Sequence, residues 1–124
     1  MKTAEFIDYI IEQTPASAGD TAAFFKHMMA DNSDAMLEQA VTRKKAAMII
    51  YAFMKDVLKW QDVDWGKTKA LRDIYDCRIC ANAIAQVCER GILTPEREDL
   101  FGGEVLMKED DLYDAISRLM GCII

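Results

Sequence analysis

Apolar residues in this chain recur at helical spacing, and no two stretches show the strict alternation that a half-buried strand requires. That pattern predicts an all-α fold. Phe6, Ile7, Ile10 and Ile11 form one stripe with Glu5, Asp8 and Glu12 turned to water. Thr14-Pro15-Ala16-Ser17-Ala18-Gly19 ends that helix, because Pro and Gly continue a helix only at a cost. Asp20 then reads as the N-cap of a second helix that buries Phe24, Phe25, Met28 and Met29. Asp31-Asn32-Ser33-Asp34 is a turn cluster, followed by a short helical piece from Ala35 to Gln39.

Thr42 caps the most regular helix, whose inner face is Ala46, Ala47, Ile50, Phe53, Met54, Val57 and Leu58. Trp60 to Lys69 is a polar connection holding two tryptophans. A further helix runs from about Cys77 to Arg90, capped by Asp76 and stopped by Gly91. After a long loop with Pro95 and Gly102-Gly103, a last helix from Glu109 to Met120 buries Leu112, Ile116, Leu119 and Met120. Together these form a small helical bundle, or a helix–loop–helix array, in one domain spanning residues 1–124.

Charge narrows the range of partners. The formal net charge of −6 repels phosphate backbones, which argues against nucleic acid. No apolar run approaches the ~18 residues of a membrane span, so no membrane partner is expected. Acids near the start leave no signal-peptide pattern, and a cytoplasmic location is expected, with the cell surface as the alternative if a leader is missing. Gly121-Cys122-Ile123-Ile124 misses a prenylation box by one position, and Lys2 stands where myristoylation needs Gly.

Several segments fall in a familiar order. Leu71-Arg72-Asp73-Ile74 resembles an F-x-D-V motif, and Glu89-Arg90-Gly91-Ile92-Leu93 resembles a helix ending in G-I. Phe101-Gly102-Gly103 resembles F-x-P with Gly for Pro, and Met107-Lys108-Glu109-Asp110-Asp111 occupies the place of I-T-R-x-E. Upstream, Val41-Thr42-Arg43-Lys44-Lys45 keeps I-T-R and loses the final Glu. In this order and spacing the chain resembles an S-layer homology domain over residues 41 to 120. The likeness is weak over 20 to 40 and does not reach 1 to 19. It implies a degenerate repeat-like unit at 20–59 and a second at 70–120, behind an N-terminal helix at 1–19.

The resemblance implies a binding module. Members of that family typically hold an anionic cell-wall polysaccharide with the Arg of T-R, which here is Arg43 beside Thr42 and Lys44. Arg suits the task, since its planar fork matches a carboxylate and a helix N-terminus adds N–H groups and a positive dipole end. Two departures weaken glycan binding. Glu109 stands where the second motif would have Arg, and the chain has room for fewer than two good repeats where the family commonly uses three. The expectation is therefore a non-enzymatic scaffolding module, acting through a protein partner or self-association, with wall-glycan binding lost. Retained binding of an anionic glycan is the alternative. Arg43 also has a purely structural reading, as a residue that pairs with an acid or solvates its helix end.

Other chemistry-bearing residues give less. Cys77-Arg78-Ile79-Cys80 has C-x-x-C spacing, and Cys88 follows, so a metal or thiol protein is a further alternative. On one helix, however, Cys77 and Cys88 would lie ~16 Å apart, too far for one zinc. They read more simply as reduced, buried, small apolar residues on a face with Ala81 and Ile84. His27, the only histidine, sits among Phe24, Phe25, Met28 and Met29 and reads as partly buried. Nothing near it resembles an activated nucleophile, the carboxylates are scattered, and no enzyme, cofactor or metal is expected. Trp60 and Trp65 could stack on a sugar or partner if exposed, or clamp the connector if buried.

Overall fold

A computed structural model describes residues 1–30 and 33–123, and among them the fold is all-α. Six helices follow in order: α1 Thr3–Gln13, α2 Thr21–Ala30, α3 Asp34–Leu37, α4 Arg43–Asp56, α5 Arg78–Glu89 and α6 Glu109–Ile123. Short 3-10 turns occupy Ala16–Ala18 and Lys67–Ala70, the second closing the polar connector, which is read without a helix. No helix of the described residues is long and apolar enough to cross a membrane. Asp31 and Asn32 of the expected turn cluster lie outside the described residues.

Polar caps set several helix starts. Asp20 Oδ1 accepts the N–H of Ala23, Ser33 Oγ that of Met36, and Thr42 Oγ1 that of Lys45. At the far end of α5, Gly91 adopts φ +73°, and the N–H of Ile92 closes back onto the Val87 carbonyl at 2.9 Å. Only glycine takes that left-handed turn without strain, so the helix stops there.

The stripes read from the sequence meet in one core. Phe6 and Ile10 of α1, Phe25 of α2, Ile50 and Phe53 of α4, and Leu112 and Ile116 of α6 are all buried. Phe25 and Phe53 stack with centroids 5.9 Å apart, and Tyr9 meets Tyr113 edge-on at 4.8 Å, tying α1 to α6. Burial of each such side chain is worth roughly 1.5–3 kcal/mol, far more than helix propensity supplies. His27 departs from expectation: it faces water, because α2 turns Phe25 inward and leaves the Lys26–His27 side outside.

Three of the helix entrances are joined in a common way. The Val41 N–H donates to the Met1 carbonyl at 3.3 Å, and the Met107 N–H donates to the Val41 carbonyl at 3.0 Å. Beside these, Thr3 N–H donates to Gln39 at 2.8 Å, and Arg43 N–H donates to Val105 at 2.9 Å. What Met1 and Thr3 do with Val41 and Gln39, Val41 and Arg43 do in turn with Met107 and Val105. Isolated antiparallel bridges at Lys2–Ala40 and Thr42–Leu106 sit within these joints. The entrances of α1, α4 and α6 are thus laced side by side. Residues 1 to 3 take part, although the motif likeness does not reach them.

Cys77 is the largest difference from the sequence reading. It takes the N-cap position of α5 that Asp76 was expected to hold, without a side-chain capping hydrogen bond, and is half-buried against the core rather than part of it. It is also disulfide-bonded to Cys80, where reduced thiols were expected. Cys88 remains a free, buried thiol.

Candidate functional site

Thr42, Arg43 and Lys44 open α4 and face the loop that runs from Thr94 to Met107. Arg43 is 9% exposed. Its Nε donates to the Phe101 carbonyl at 2.8 Å, and Nη2 donates to the Thr94 carbonyl. The guanidinium carbon lies 4.8 Å from the centroid of the Phe101 ring, in cation–π contact. Burial pulls its basicity below the usual guanidinium value, offset in part by Cys88, Glu96, Asp111 and Asp73. The Lys44 ammonium pairs with Glu104, and the Lys44 N–H donates to Gly103 at 3.0 Å.

The same loop is gripped from the other side. Asp73 Oδ1 accepts the N–H of Phe101 and Oδ2 that of Gly102, each at 2.9 Å. The segments resembling F-x-D-V, F-x-P and I-T-R therefore converge on the Phe101–Gly102 peptide, with Asp73 holding its N–H and Arg43 its carbonyl. Beside them lies a polar groove of about 250 Å³ lined by Arg43, Thr94, Glu96, Met107, Asp111 and Arg118. Two cations and two acids share it, so it offers no net positive field to an anion.

Trp60 and Trp65 belong to a different place. They follow the C-terminal end of α4, and the 14 residues of that helix separate them from Arg43 by roughly 20 Å. The Arg90 guanidinium covers the Trp60 ring at 4.8 Å. Trp65 Nε1 donates to Asn82 Oδ1 at 3.0 Å, and its ring lies 5.9 Å from that of Tyr75. Both tryptophans are half-buried against the core, so they clamp the connector. The five residues singled out from the sequence do not form one site.

A polar row on α5 holds that connector and was not anticipated. Asn82 Nδ2 donates to Tyr51 Oη and to Asp62 Oδ2, each at 3.0 Å. Gln86, fully buried, exchanges two hydrogen bonds with the backbone of Val63 at 2.8 and 2.9 Å. Glu89 accepts from Gly66 N–H at 2.7 Å and from Thr68 N–H and Oγ1 at 3.0 and 2.6 Å. Burial works to raise the Glu89 carboxyl, but these hydrogen bonds from Thr68 and Gly66 outweigh it and hold the group below the ordinary carboxylate value. The spacing 82, 86, 89 on an otherwise apolar helix was the available signal.

One further feature faces outward. A groove of about 170 Å³ between α1, α2, α3 and α4 is lined mainly by Ile7, Met28, Met36, Leu37, Met48 and Ile49. Met36 is 44% and Met48 37% exposed. Among the described residues no group of three or more His, Cys, Asp or Glu could hold a metal ion. No family model matches the chain, and no curated protein or solved structure matches it either.

Proposed function

We propose that this chain is a non-enzymatic module built like an S-layer homology domain, working through protein–protein association, with glycan binding given up. The commitment of Arg43 is the observation that carries the reading. The side chain that would meet an anionic sugar is buried, and its fork is aimed at two backbone carbonyls. Lys44 is likewise paired with Glu104. The meeting of the motif-like segments around Phe101 supports the kinship.

Association draws support from the methionine-lined groove. Unbranched, polarisable methionines adapt to whatever side chain enters, and such grooves suit contact with another protein. A second copy of the chain is the partner tested first. Sedimentation velocity over a wide concentration range should show a reversible dimer, and Met48→Glu should remove it. A monomer throughout would end the self-association reading. Binding to purified cell-wall polysaccharide, abolished in an Arg43→Lys protein of intact fold, would restore the glycan reading instead.

A further inference from the structure

We propose that the Cys77–Cys80 disulfide is a thiol–disulfide exchange site, selective for small cationic thiols. The inference is independent of the association reading.

Three observations carry it. First, the bridge does little for the fold. A crosslink between residues three apart removes little loop-closure entropy from the unfolded chain. Second, the two sulfurs differ in access. Cys80 is 2% exposed on the inner side of the first turn of α5, whereas Cys77 is half-buried and lines an open cleft of about 240 Å³. Cys77 also holds the N-cap position of a 12-residue helix, beside its positive dipole end, which favours a thiolate.

Third, the cleft has a sign. Asp73, Asp76, Glu96 and Glu104 line it, with Lys44 as the single base, and Lys44 is paired with Glu104. Such walls concentrate a cationic thiol and repel an anionic one. Arg78 and Ile79, the two residues between the cysteines, are both exposed, so this turn lies at the surface.

The exchange balances with two equivalents of thiol. The thiolate of the first attacks Cys77 Sγ, the Cys77–Cys80 bond breaks, and Cys80 leaves as a thiolate that takes a proton. Cys77 now carries the thiol as a mixed disulfide. A second thiolate attacks the sulfur of the carried group, releasing a small disulfide and the Cys77 thiolate, which is protonated in turn. Two electrons pass from the small thiols to the protein.

The test uses the full oxidised chain at low salt, with cysteamine and 3-mercaptopropionate as probes. Opening of the bridge is followed by acid quench, alkylation and peptide mass. Each rate is divided by that of the same reagent on the urea-unfolded chain, which cancels intrinsic reactivity. The expected preference for cysteamine is about tenfold, shrinking toward one at about 0.5 M KCl. Asp76→Lys and Asp76→Asn, at an exposed position, should each reduce it. In Cys80→Ser, cystamine should load Cys77, whereas in Cys77→Ser it should not load Cys80 while the chain is folded. A bridge that opens only on unfolding, equal normalised rates for the two thiols, or loading at Cys80 would each overturn the proposal. So would recovery of Cys77 and Cys80 as free thiols after equilibration with cystamine.

Discussion

Arg43 holds Phe101 twice, by a 2.8 Å hydrogen bond from Nε to its carbonyl and by a guanidinium 4.8 Å above its ring. The residue that looked most available for a ligand is thus a tie between α4 and the 94–107 loop. Arg43→Ala leaves the Phe101 and Thr94 carbonyls without this donor, and should cost about 2–4 kcal/mol in a urea denaturation series. Arg43→Lys should recover less than half, because an ammonium on a flexible stem cannot serve two carbonyls and lie flat on a ring. A loss below about 0.5 kcal/mol for Arg43→Ala would mean the tie is ornamental.

Asp73 grips the same peptide from its N–H side. Asp73→Ala removes the acceptor for both Phe101 and Gly102 and should cost about 2–3 kcal/mol. Asp73→Asn keeps one acceptor oxygen and should cost about half as much. Since Asp73 and Arg43 position one loop, the double substitution should fall short of the summed single losses by at least about 0.5 kcal/mol. Strict additivity would show that the two residues hold separate parts of the loop.

How far the fold was legible follows from how local each determinant is. Helices α1, α4, α5 and α6 could be read because stripe, cap and stop lie within one segment, as with Thr42, the Ala46–Val57 face and Gly91. The lacing of three helix entrances could not, since each joint is an isolated bridge too short to leave an alternating run. The choice between the two readings of Arg43 was not local either. Its partner Phe101 lies 58 residues away, and nothing local distinguishes an Arg that reaches into its own protein from one that reaches out. The cysteine pair was read as helical because its spacing fits a helix face equally well. The geometry decided otherwise by placing Cys77 one step before α5 begins.

Acid should loosen the connector before it unfolds the core. The Glu89 carboxylate accepts three hydrogen bonds from Gly66 and Thr68, and its titration point in the fold is depressed. A depressed carboxylate contributes stability that is present above its unfolded value, about 4.3, and is lost as pH falls through the lower folded value. Tryptophan fluorescence, reporting Trp60 and Trp65, should therefore change below about pH 4, ahead of the loss of helical circular dichroism. Glu89→Gln should flatten that early phase and lower stability near neutrality. Coincident fluorescence and dichroism transitions in the parent chain would contradict this.

Thiol reactivity gives a direct readout of the core. Cys122 is exposed and Cys88 buried, and burial pushes the Cys88 thiol up to about 12, with Arg43 the foremost charge opposing that rise. At pH 8 the oxidised native chain should therefore lose one thiol rapidly to iodoacetamide. The second should react only through opening of the fold, at a rate set by the open fraction. Arg43→Ala removes a charge that favours the Cys88 thiolate, so a local electrostatic effect would slow the reaction. Loss of the Arg43–Phe101 tie works the other way, and a 2 kcal/mol loss raises the open fraction about 30-fold. Acceleration of Cys88 alkylation by that order would identify Arg43 as a stabiliser of the whole fold. No change, or a slower reaction, would confine its influence to the loop it touches.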